Sequence, residues 1–322
     1  MSVQTLTEYA KTFEANDKRR AIIEMFPEAV DFMDALPFMT APGGVYRYQT
    51  EGDLPDNMGF RAINELPAEG HGLLNDAVEQ TFPIAGNIDV DRVLLNRYGQ
   101  GRKTIDEKMS LKKKAKIWAD TFINGDNQSA PREFTGMKAR LRAVGGSTDG
   151  SNYLSRILAN SAASGGGALS LAQLDRAIGL VEAPTAIIMP KAIKDRFAAA
   201  QRDTTIGGFI TLDKDDMGRQ IMRYGNLPIY CGYGISQFGE FLPFDEVATG
   251  GGSAVTSSIY IVRFGEDGVT ALETSPMEVK DFGLLENGVH HRVNIEHDVG
   301  MGIFDPFSAL RQSSITNAPI IK

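Results

Sequence analysis

The sequence predicts an α+β protein of more than one lobe, on three observations. An amphipathic helix over residues 104–122 carries a single apolar stripe. The stretch from 171 to 231 alternates helix and strand patterns. The last third turns to β and holds the longest apolar/polar alternation in the chain.

In chain order, Leu6, Tyr9, Ala10 and Phe13 recur at helical spacing, so a short amphipathic helix is expected first. A second is expected over 18–25; Pro27 could open another first turn, and Pro37 ends the region. Residues 45–50 and 78–84 read as strands around a polar middle, 51–72, punctuated by Gly and Pro. Loops this long are uncommon inside compact domains. Ordering one costs about 1–2 kcal/mol of backbone entropy per residue, and apolar burial returns only about 25 cal/mol per Å². The excursion between 46 and 90 is therefore expected as a hydrogen-bonded hairpin arm lying on something else, such as a neighbouring copy of the chain.

Residues 88–95 read as a strand or a short helix. In the long helix, Thr104 and Glu107 fit a capping box. Leu111, Ala115, Trp118 and Phe122 form its stripe, and Asn124-Gly125 predicts a left-handed stop. A Gly-rich connection, 145–167, contains a short helical patch at 153–158. A helix with Leu171, Leu174, Ile178 and Val181 follows, then a buried-type strand, 185–189, and a helix over 191–201. Strands are expected at 220–224 and 227–231, and again at 259–264 and 269–273 around the Glu266-Asp267-Gly268 turn. Finally Val289, His291, Val293, Ile295, His297, Val299, Met301 and Ile303 line one face of a long strand.

A net charge of -8 argues against a protein whose main task is gripping phosphate backbones. The single cysteine, Cys231, excludes an intramolecular disulfide framework and a multi-cysteine metal site. The first residues have neither a basic start nor an apolar core, and no apolar run approaches bilayer length. A soluble protein made in a reducing cytoplasm, with no membrane partner, is expected.

No catalytic constellation is visible, and no enzyme activity, cofactor or metal is expected. There is no phosphate loop, no complete dinucleotide fingerprint and no nucleophile elbow. Residues 213–218 faintly resemble a calcium loop, but Met217 stands where an oxygen ligand belongs, so a solvated turn is the better reading. His290 and His291 point to opposite faces, and His291 and His297 lie about 20 Å apart at ~3.3 Å per residue. His71 sits in the arm. Satisfied or surface histidines are expected, and Cys231 reads as a small buried side chain. Lys108, Lys112 and Lys116 form a row at helical spacing beside Lys113 and Lys114. It reads as a solvated face suited to the helix dipole; the sharper alternative is a face for nucleic acid or an acidic partner.

The order of parts resembles the major capsid protein of tailed bacteriophages with the Hong Kong 97 type fold. The resemblance is carried by the arm with Arg61-Ala62-Ile63-Asn64-Glu65, and by the helix running into Phe122-Ile123-Asn124-Gly125-Asp126. Glu133-Phe134-Thr135-Gly136-Met137 follows, then Tyr224-Gly225-Asn226-Leu227-Pro228-Ile229 and the ending Asp298 to Pro306. It covers about residues 36–315 and rests on order, because no single motif is diagnostic.

The resemblance implies an N-terminal arm (1–37), an extended β-hairpin loop (38–86) and a peripheral domain (87–168) with its spine helix at 104–123. A mixed axial domain (169–252) and returning peripheral strands (253–322) complete the division. It implies self-assembly through pentamers and hexamers into an icosahedral head shell enclosing double-stranded DNA, in a virion assembled in the host bacterial cytoplasm. Arg47, Arg61, Glu65 and Glu69 are the expected inter-subunit contacts, and Lys112, Lys113 and Lys116 the candidate interior residues facing DNA. A portal, a separate scaffolding protein and a decoration protein are the implied partners. Two departures matter. No lysine lies between Lys18 and Lys103, so the loop cannot donate the isopeptide cross-link that some members use. The segment before the hairpin is short, which favours a separate scaffold over a built-in one. The nearest rival is an encapsulin-like bacterial compartment of the same fold; a more distant one is an α/β enzyme with the hairpin as lid.

Overall fold

The computed structural model describes residues 4–5, 29–51, 57–67, 69–202, 209–214, 220–236 and 239–321. The helices expected over 6–13 and 18–25 lie outside these residues, as does most of the 213–218 turn. The first strands are β1 (Gln4–Thr5), β2 (Pro37–Thr40), β3 (Val45–Glu51), β4 (Leu74–Gln80), β5 (Phe82–Asp91) and β6 (Ile157–Ala159). The middle of the chain adds β7 (Ala186–Ile188), β8 (Ile210–Lys214), β9 (Gln220–Tyr224), β10 (Leu227–Tyr230), β11 (Ile235–Ser236) and β12 (Gly239–Glu240). The last are β13 (Glu246–Val247), β14 (Ala254–Val262), β15 (Val269–Glu273), β16 (Glu278–Leu284), β17 (His290–Ile303) and β18 (Ala309–Thr316). Five α-helices accompany them among the described residues: α1 (Arg92–Tyr98), α2 (Gln100–Asn124), α3 (Met137–Arg140), α4 (Leu171–Gly179) and α5 (Lys191–Ala200).

Two large sheets organise the molecule. The first is built around β17, which pairs along residues 290–299 with β5 on one edge. Its other edge takes β16 and then β15, end to end. The predicted alternation holds: Val293, Ile295, His297, Val299 and Met301 are buried. The four apolar ones join the α2 stripe of Leu111, Ala115, Trp118 and Phe122 in one core with Phe32 and Met33.

The second sheet runs β6-β18-β14-β7-β10-β9-β8, with β13 on β14. Its two faces serve different cores, as a period of two requires. Ile188, Tyr230, Tyr260 and Val262 face the α2 core, whereas Ile187, Ile229, Ile259 and Ile261 pack with residues of α4 and α5. β14 and β18, grouped with the returning strands, belong to the same sheet as β7 and β10, because their inward residues complete the core beneath α4 and α5. The 266–268 turn accordingly carries the chain from one sheet into the other, with Val269 N donating to Arg263 O at 2.9 Å.

Four local expectations change. The long helix begins four residues early, after Gly99 at φ 70, so Thr104 is interior and Glu107 is buried and not part of a cap. The expectation at 88–95 resolves into both elements: β5 runs to Asp91, whose carboxylate accepts from Val93 N at 2.6 Å and caps α1. Gly125 does stop α2, but at φ -54, not in the left-handed region. It is glycine because a Cβ there would stand 2.4 Å from Phe134 O and 2.5 Å from Thr121 O. The patch at 153–158 forms no helix: residues 157–159 pair parallel with β18. Buried Arg156 fixes the approach, donating to the carbonyls of Gly150, Leu180 and Ala309.

Candidate assembly interface

The excursion is a hairpin: β3 pairs antiparallel with β4 from Val45↔Gln80 to Glu51↔Leu74. Its return strand leads through Thr81 into β5, so the arm is an outgrowth of the sheet containing β17. The root is held on the chain's own body. Arg140, from α3, places Nη1 2.5 Å and Nη2 2.6 Å from the two carboxylate oxygens of Glu79. Tyr48 donates towards Glu79 Oε1 at 3.1 Å and Ile303 O at 3.2 Å. Burial and the neighbouring Glu79 carboxylate push the Tyr48 phenol well above its ordinary range, so it stays a neutral donor. The rings of Tyr46 and Tyr48 pack on Phe304, 5.2 and 4.8 Å away.

Beyond this root the arm meets little of its own chain. Met58, Phe60, Ile63 and Leu66 are at least four-fifths exposed, and the described residues 57–67 contain neither helix nor strand. The tip is nevertheless shaped. Arg61 Nη1 donates to Glu65 O, and Ala62 N to Glu65 Oε2, each at 2.8 Å. Asn64 supplies the left-handed residue at φ 70. The tip thus presents an exposed apolar set on a locally ordered frame, the kind of patch that marks interaction surfaces in general.

Arg47, Arg61, Glu65 and Glu69 all lie exposed on the arm; Arg61 and Glu65 also fold its tip. The lysine row divides. Lys108, Lys112 and Lys113 are exposed, while Lys116 is half-buried with its ammonium 5.3 Å from the Tyr233 ring centroid. Lys114 is buried, in phase with Leu111 and Trp118 on the apolar stripe. Lys114 therefore does not belong to the solvated face on which the sequence reading set it, although its spacing from Leu111 and Trp118 carried that signal; the Glu79–Arg140–Tyr48 set had none, because only the fold brings it together.

The other groups weighed for chemistry are placed structurally. His297 is buried, stacked on Phe38, with Nε2 2.9 Å from Glu273 Oε2; burial lowers its proton affinity. The Cys231 thiol is buried and pushed up to about 12, chiefly by desolvation, the opposite of an activated thiolate. Asp213 pairs with Arg223 at 3.1 Å. Among the described residues no group of three or more His, Cys, Asp or Glu could hold a metal ion, and no helix is long and apolar enough to cross a membrane.

A projecting hairpin rooted beside a long helix, a sheet around one long strand and a second mixed sheet together define the Hong Kong 97 type shell fold. Solved structures agree. The chain is similar to the SrpI encapsulin of Synechococcus elongatus PCC 7942, with a TM-score of 0.62 at 12% identity, covering 100% of this chain and 99% of that one. It is similar to the capsid of cyanophage A-1(L), with a TM-score of 0.59 at 14% identity over 87% and 90% of the two chains. The capsid of the empty GTA particle gives 0.58 at 13% identity over 89% and 90%. No protein-family model and no curated protein sequence matches the chain. The likeness is one of fold, and the proteins that share it here are structural subunits of shells.

Proposed function

We propose that this chain is the major capsid protein of a tailed double-stranded DNA bacteriophage, assembling through pentamers and hexamers into an icosahedral head. The observation that carries the reading is the arm: bolted at its root by Arg140 and Glu79, yet leaving Phe60, Ile63 and Leu66 almost fully exposed at its tip. On this fold a second copy is the natural cover. The second mixed sheet with α4 and α5 would form the axial lobe, and α2 with the β17 sheet the peripheral lobe. A separate scaffolding protein, a portal and a decoration protein are the partners. Exposed Lys112 and Lys113, with Lys116 behind them, would meet packaged DNA without sequence preference.

One observation favours a second reading, a bacterial compartment: the likeness to the SrpI encapsulin extends over the whole of this chain. Expression with the neighbouring genes, followed by electron microscopy and nuclease treatment of the particles, tests both. Shells holding nuclease-protected DNA support the capsid reading. Shells holding a protein cargo and no DNA support the compartment, and a monomer that forms no shell with those partners overturns both.

A further inference from the structure

Between α2 and β5 lies an open groove of about 340 Å³, walled by Ile84, Ile88, Ile117 and Ile295. The inward side of β5 reads Ile84, Gly86, Ile88, and at Gly86 an added Cβ would meet nothing within 4 Å. The missing side chain is what leaves the space. Lys114 lines the same groove; it is 8% exposed, and its Nζ is buried with no hydrogen-bond partner among the described residues. An unpaired buried ammonium is costly, and desolvation pushes this one down to about 7, only partly offset by the charge of Glu296. Among the described residues β5 pairs with β17 alone, so the groove opens at a sheet edge.

We propose that this groove receives a carboxylate side chain from the arm of an adjacent copy of the chain, forming an ion pair with Lys114 that exists only in the assembled shell. The inference rests on the shell reading above and names a contact within it. The groove wants an anion flanked by apolar groups. The arm supplies that chemistry: between Glu51 and Glu69 it carries five carboxylates against Arg61 alone. Its exposed Met58, Phe60, Ile63 and Leu66 match the isoleucine walls. Of the carboxylates in the described tip, Glu65 and Glu69 are both exposed. Pairing would return Lys114 to its charged form, so assembly above pH 7 would take up a proton at this site.

The test compares wild type with Lys114→Met, Glu65→Gln, Glu69→Gln, Gly86→Val and the Lys114 double variants, in the presence of the natural assembly partners. Subunit melting and the critical concentration for shell formation are measured for each. Lys114→Met is expected to raise the subunit's melting temperature, because it removes a buried unpaired amine, while raising the critical concentration about tenfold. One of the two glutamine variants should give the same rise, with no further rise in its double with Lys114→Met. Gly86→Val, which fills the groove without touching the lysine, should also impair assembly and serves if Lys114→Met fails to fold. Lys114→Met shells forming at or below the wild-type concentration would overturn the ion pair while leaving the shell reading intact. So would glutamine variants that both assemble as wild type. Wild-type protein that never assembles would instead remove the shell reading and the proposal with it.

Discussion

Arg140 and Glu79, sixty-one positions apart, meet through two parallel hydrogen bonds of 2.5 and 2.6 Å at the root of the arm. Their side chains are 20% and 12% exposed, so the pair sits largely out of water. Removing one member of such a pair leaves an uncompensated charge. Arg140→Met is expected to destabilise the subunit by about 3 kcal/mol, and to speed amide exchange in β3 and β4 more than in β14 or β18. Uniform exchange across these strands would show that Arg140 has no special hold on the arm.

The tip makes the opposite prediction. Phe60→Ser with Ile63→Ser alters side chains that touch little of their own chain, so subunit stability should change by less than about 0.5 kcal/mol. Shell yield, read by sedimentation, should collapse. Normal shells from the double variant would mean that the tip is not covered on assembly.

Asp31 carries a pH signature. Its Oδ2 accepts from Cys231 N at 2.8 Å, but Oδ1 is buried with no hydrogen-bond partner among the described residues, and desolvation raises the carboxyl to about 6. The folded state therefore holds this proton more tightly than the unfolded one. Stability from this group is greatest below about pH 4 and falls as pH rises towards 6; Lys194 partly offsets the cost. Asp31→Asn keeps an acceptor for Cys231 N and should gain about 1–2 kcal/mol above pH 6.5, a gain that vanishes below pH 4. Denaturant midpoints across that range decide it, and an equal effect at both ends would remove the assignment.

Gly125→Ala should be far more damaging than a helix-end glycine substitution normally is. The new Cβ would sit 2.4 Å from a backbone oxygen that cannot swing away. A loss of about 3 kcal/mol or more is expected. A melting temperature within a degree or two of wild type would contradict the geometry.

With no lysine between Lys18 and Lys103, assembled shells should fall to single chains on boiling in detergent. A ladder of covalent multimers on a denaturing gel would show a cross-link from elsewhere.

Elements defined by a long, single-phase pattern were legible in the sequence. The α2 stripe, the β17 alternation, β7, α5 and the hairpin all appear close to the expected residues. The misses share a cause. The ends of α2 depend on Gly99 and on the carbonyl of Phe134, which local propensity does not see. Only the end of the 153–158 patch entered a strand, where Arg156 and β18 draw it. On the arm and the long helix the sequence pointed to Arg47, Arg61, Glu65, Glu69 and the lysine row, but not to Glu79, Tyr48 and Arg140.

Periodicity, composition and the length of the arm by themselves determined the α+β class, the main elements and the expectation that part of this chain covers another. Such signals lie within one segment, where the helix or strand repeat decides which side chains turn inward. Which strands share a sheet, which carboxylate anchors the arm and which buried lysine has no hydrogen-bond partner among the described residues were decided only by tertiary structure. Those facts come from contacts between distant segments, and their free energy exists only after the chain has closed upon itself.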